Sequence, residues 1–68
     1  MKAYRYWNVA NPVFFVSDVK PSIHKRNAKG DWGYTTDRNH AIELTHYEQM
    51  RFNADCNAVG VSAKFFIG

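Results

Sequence analysis

Residues 36–60 read TDRNHAIELTHYEQMRFNADCNAVG, and this stretch decides the fold because it holds the strongest helix signals in the chain. Thr45 is followed three residues later by Glu48. In that pattern the threonine hydroxyl accepts from a free amide of the first turn, while the glutamate reaches back to the cap amide. A helix is therefore expected from His46 to Val59, ended by Gly60, which takes the left-handed conformation at little steric cost. At about 100° per residue, Tyr47, Met50, Ala54 and Ala58 share one face, and Phe52, Cys56 and Val59 share another. The first face, narrowed by two alanines, is expected to lie on a sheet. The second then needs a cover from the chain or from a partner. Upstream, Asp37 is placed to cap a second, shorter helix over residues 38–44, with Ala41 and Leu44 as its apolar positions.

Working outward, the flanking segments read as strands. Residues 3–9, AYRYWNV, alternate and are rich in aromatic residues that favour extended chain. With Lys2 beside them, Tyr4 and Tyr6 are expected to face the core, and Arg5 and Trp7 the other side. Asn11-Pro12 signals a turn, because the residue before proline avoids the helical region. A second strand over 13–19 opens with a continuous apolar run, VFFV, and a third over 31–36, DWGYTT, carries Trp32 and Tyr34 on one face. After the helices, Val61, Ala63, Phe65 and Ile67 alternate with Ser62, Lys64 and Phe66, the cleanest strand pattern in the chain. The expected order is strand, strand, strand, helix, helix, strand. That makes one α+β domain over 1–68, a sheet of about four strands, antiparallel or mixed, packed on one main helix.

Sixty-eight residues lie near the size at which a single core is marginally stabilising, and aromatic residues at 16% supply large buried area per side chain. A single cysteine excludes an internal disulfide framework, so Cys56 reads as a small buried apolar residue in a reducing cytoplasm. No segment approaches membrane-spanning length and the N-terminus lacks a secretion signal; a cytoplasmic protein without a membrane partner is expected. The net charge of +3 is unevenly placed: residues 1–36 carry six Lys/Arg against two acids, and residues 37–68 three against four. Much of the basic excess sits in a loop over 20–31, KPSIHKRNAKGD, which is long for a hairpin connection.

Catalytic chemistry has little to stand on. His24, His40, His46 and Cys56 are separated by 16, 6 and 10 residues, which match no paired-ligand spacing, so no metal or cofactor is expected. The acids are scattered, and GDWG lacks the glycine spacing and the lysine of a phosphate loop. A non-enzymatic binding protein is expected. Lys20, Lys25, Arg26 and Lys29 are the candidates to neutralise phosphates, with Trp32, Tyr4 or Tyr6 stacking on unpaired bases. The surplus of apolar surface on the helix and the second strand leaves room for a symmetric homodimer.

Residues 32–52, WGYTTDRNHAIELTHYEQMRF, join an aromatic strand end to a Thr-Asp pair, the apolar Ala41 and Leu44, and a threonine-capped helix. In this the chain resembles the small accessory proteins that bacteriophages encode, compact α+β domains used in host takeover or anti-defence. The resemblance implies stoichiometric binding to a host protein or nucleoprotein complex, as anti-CRISPR proteins, anti-restriction proteins and inhibitors of host RNA polymerase do. The anchors of such a contact would be Arg5, Trp7, Arg26, Trp32 and Tyr34, and the compartment the host cytoplasm. A nucleic-acid binder using the basic loop 20–29 and its neighbouring aromatics is the alternative.

Overall fold

The computed structural model describes residues 1–6, 13–19 and 32–68. Strands β1 (Lys2–Tyr6), β2 (Phe14–Val19) and β3 (Trp32–Thr35) precede a 3-10 turn (Arg38–His40), helix α1 (His46–Ala58) and strand β4 (Ser62–Phe66). The strands form one sheet in the order β3-β2-β1-β4, with every pairing antiparallel. Among the described residues the fold is α+β, a four-stranded antiparallel sheet with one α-helix.

The second helix expected over 38–44 does not form, and the expected order with two consecutive helices is corrected accordingly. Asp37 does cap a turn, accepting from the Asn39 amide at 2.9 Å, but the turn stops at His40 and Ala41 is already extended. Tertiary pairing overrides the local signal. The Ile42 amide donates to the Val16 carbonyl and the Leu44 amide to the Met1 carbonyl, both at 3.0 Å, so this segment crosses from β2 to β1 as extended chain. Ala41 and Leu44 are buried by that crossing instead of by a helix.

Helix α1 starts where its cap requires. The Glu48 amide donates to Thr45 Oγ1 at 3.2 Å and the Thr45 amide donates to Glu48 Oε1 at 2.8 Å, the reciprocal capping box. Gly60, at φ 77°, turns the chain back into β4. Thr45→Ala removes one half of the box and is expected to lower unfolding stability by about 0.5–2 kcal/mol in a urea melt. A change below the error of the fit would mean that the cap does not support the helix.

The faces of α1 are the reverse of the expected ones. Phe52, Asp55 and Cys56 are buried against the sheet, whereas Tyr47, Met50, Ala54 and Ala58 are exposed. Asp55 decides the orientation, because a carboxylate is buried only where a donor meets it. The Trp32 indole Nε1 donates to Asp55 Oδ2 at 3.0 Å, and Arg51 Nε lies 3.8 Å from the same oxygen. The core is Ala3, Val16, Trp32, Leu44, Phe52, Cys56 and Val61, with Ala63 and Phe65 packed against it. Ile67, expected among the inward residues of the last strand, lies beyond β4 and is 87% exposed.

Strand β1 is also reversed. Ala3 lies fully buried under the helix and Arg5 shares its side, so Tyr4 and Tyr6 lie on the face opposite α1. A small residue at position 3 lets Phe52 and Cys56 approach the sheet closely. Between β2 and β3 the register shifts at Val16/Asp18, which returns Val19 to the helix side beside Trp32. Gly33 sits across from this shift. A Cβ there would stand 2.8 Å from the Asp18 Cβ, so a side chain has no room.

Candidate functional site

The register fixes what the helix-free face presents. Directly paired residues of antiparallel strands share a face, so Tyr4 ranks with Phe15 on β2 and Lys64 on β4, Lys2 with Phe66, and Tyr6 with Ser62. Four rings meet there. Tyr4 lies 5.6 Å from Phe15, 5.9 Å from Phe66 and 6.3 Å from Tyr6 between centroids, and Phe15 meets Phe66 edge-on at 5.7 Å. Phe15 is the buried floor of this cluster, while Tyr4, Tyr6 and Phe66 are half-buried. Among the described residues, α1 lies on the other side of the sheet from these rings.

Cations border the rings. Lys2 and Lys64 flank Tyr4 in the paired rows, and the Arg38 guanidinium of the 3-10 turn lies 4.5 Å over the Phe66 ring. Such a contact holds the planar cation in place while its donors stay in water. Among the described residues, Asp18 is exposed on this side at the far end of β2, Asp37 adjoins Arg38 in the turn, and Glu43 is held below its usual pKa first by its bond to the Met1 amino group and also by the charge of Lys2. The face is thus a ring floor with three positive groups around it.

The partner-binding candidates read from the sequence fall elsewhere. Trp7, Lys20, Lys25, Arg26 and Lys29, with the basic loop and His24, lie outside the described residues. Trp32 is 4% exposed and serves as the clasp between β3 and Asp55 of α1, a place in the core. Tyr34 and Arg5 are half-buried on the helix side, the Arg5 guanidinium 4.1 Å over the Tyr34 ring and 5.5 Å from Phe14. Burial pushes the Tyr34 phenol above its ordinary pKa despite the opposing charge of Arg5. Cys56 is fully buried and its thiol is pushed up to about 11 by burial, again against Arg5, which leaves it a poor nucleophile at neutral pH. The structure thus places Arg5, Trp32 and Tyr34 on the helix side of the sheet, Trp32 buried and the other two half-buried.

Phe15, Phe66, Lys2, Lys64 and Arg38 were not among those candidates. A usable signal was present. Phe66 has the same parity as Lys64 along β4, and Tyr4 and Tyr6 alternate with the small Ala3, whose size marks the side the helix covers.

Among the described residues, no group of three or more His, Cys, Asp or Glu side chains is gathered so as to hold a metal ion. No described helix is long and apolar enough to cross a membrane. Comparison with protein-family models, with curated proteins and with solved structures finds no match to this chain.

Proposed function

We propose that this chain is a non-enzymatic binding protein that docks through the open face of its sheet, and that it takes single-stranded nucleic acid there. The observation that carries this is the juxtaposition of Tyr4, Tyr6 and Phe66 with Lys2, Lys64 and Arg38 on a face that α1 does not cover. Tyr4 and Tyr6 would stack on unpaired bases at about 1–3 kcal/mol each, on a floor of Phe15 and of Phe66, whose ring already carries Arg38, and the neighbouring cations would neutralise the phosphates between them. The lysines and Arg26 of segment 20–31 would add to the same electrostatic attraction.

The same surface suits a second role, a stoichiometric inhibitor of a host protein complex of the anti-CRISPR, anti-restriction or polymerase-inhibitor kind. Tyrosine and arginine concentrate energy at protein interfaces, and Tyr4, Tyr6 and Arg38 gather around Phe66 and Phe15. An acidic partner would be required. A pull-down from bacterial lysate, with and without nuclease, separates the two. Recovery of nucleic acid that nuclease abolishes is expected. One stoichiometric protein that survives nuclease and moderate salt would replace the nucleic-acid assignment with the inhibitor one.

A further inference from the structure

The outer side of α1 has a composition unlike the rest of the chain. Its exposed residues are His46, Tyr47, Met50, Asn53, Ala54, Asn57 and Ala58, none of them Lys, Arg, Asp or Glu. None of the three charged residues of the helix is exposed, although Arg51 borders this side, one turn from Tyr47 and Ala54. Asp55 is buried, Arg51 is largely covered beside it, and Glu48 is half-buried in the capping box. The whole chain carries 22% charged residues. Two large side chains stand out on this neutral surface, Tyr47 at 65% and Met50 at 61% exposed. Between Met50 and Phe65 of β4 runs a shallow groove of about 250 Å³, also bordered by His46, Gln49 and Asn53.

The order of sizes along the helix selects the occupant. Tyr47 and Met50 occupy the N-terminal half of the stripe and Ala54 and Ala58 the C-terminal half. When a second identical helix is laid antiparallel about a two-fold axis between Met50 and Ala54, each Tyr47 covers Ala58 of the other copy and each Met50 covers its Ala54. Large residues meet small ones along the whole seam, as ridges meet grooves. A two-fold contact places a surface against itself, so like charges would oppose one another on any charged face of this +3 chain. The exposed residues of this face include none, the bordering Arg51 being held beside Asp55, and the antiparallel helix dipoles are aligned favourably.

We infer that α1 is a self-association surface and that its partner is a second copy of the same chain, paired antiparallel through Tyr47, Met50, Ala54 and Ala58. The inference does not depend on what the sheet face binds. The dimer would carry its two sheet faces outward, on opposite sides of the paired helices, so both remain open. Thirteen residues at about 1.5 Å each give a seam of about 20 Å. A single helix pair of that length falls at the small end of the roughly 1,200–2,000 Å² that stable interfaces bury, so the dimer is weak and concentration-dependent.

Sedimentation equilibrium of the full chain between about 10 µM and about 1 mM tests this. A rise from monomer to dimer mass is expected across that range. Met50→Lys and Ala54→Glu are each expected to weaken association at least about tenfold, with far-UV melts confirming that these exposed positions leave the fold intact. Because each Met50 faces the other copy's Ala54, the double variant M50K/A54E is expected to regain association through two complementary pairs. A monomer at every concentration, a dimer indifferent to both single substitutions, or a double variant no tighter than the singles would each overturn the inference.

Discussion

Phe52→Ala is expected to leave most of the chain unfolded at room temperature. Phe52 is 0% exposed, and its ring lies edge-on to Trp32 at 5.2 Å and Phe65 at 6.4 Å, with Tyr34 at 6.5 Å. One side chain thus joins α1 to β3, at one edge of the sheet, and to β4, at the other. Truncating a buried phenylalanine costs about 3–5 kcal/mol, including the cavity it leaves. A core of this size supplies about 3–5 kcal/mol in all, so the loss is comparable with the total. Far-UV circular dichroism without denaturant is the check. A cooperative melt only a few degrees below that of the parent chain would mean that the core does not turn on this ring.

Reversing charge on the sheet face is expected to cost more in binding than any other change that leaves the fold intact. Lys64 is exposed and Lys2 half-buried beside Phe66, so Lys2→Glu with Lys64→Glu removes no core side chain, and a far-UV melt checks that the new carboxylate near Glu43 leaves the fold intact. Each reversal replaces an attraction to phosphate by a repulsion. At about 1.4 kcal/mol per tenfold, two such sites give a loss of about 100-fold or more. Tyr4→Leu separates stacking from packing, because leucine still covers Phe15 and Phe66 but offers no ring. It is expected to weaken binding by about 1–3 kcal/mol with little change in melting temperature. Equal losses of stability and binding in both variants would make the face a structural surface only.

The start and end of α1 were legible because their determinants are local. The capping box needs only Thr45 and Glu48, and the exit only Gly60. The side of the helix that is buried was not legible. Two apolar stripes of similar strength run along it, and what chooses between them is the Trp32 indole, 23 positions from Asp55 in sequence. The same holds for residues 38–44, where the bonds to Val16 and Met1 win over a helix that Asp37 could have started. Trp32 and Tyr34 resembled exposed anchors because aromatic residues are common to cores and interfaces. Their positions across from Phe52, not their identities, put Trp32 in the core and leave Tyr34 half-buried against it. For β1, the deciding residue was the least conspicuous: Ala3, whose small side chain marks the covered side and so sends Tyr4 and Tyr6 to the open one.

The most direct test of the sheet face is a titration of a labelled single-stranded oligonucleotide with the full chain over a series of salt concentrations. Lys2, Lys64 and Arg38 represent three phosphate contacts, and single strands contribute a slope of about 0.7 each. Log affinity is therefore expected to fall against log salt with a slope of about −2 or steeper, with the duplex of the same sequence bound more weakly because its bases are not free to stack on Tyr4 and Tyr6. Affinity that does not change with salt, equal affinity for duplex and single strand, or no binding even at low salt would contradict a nucleic-acid role for this face.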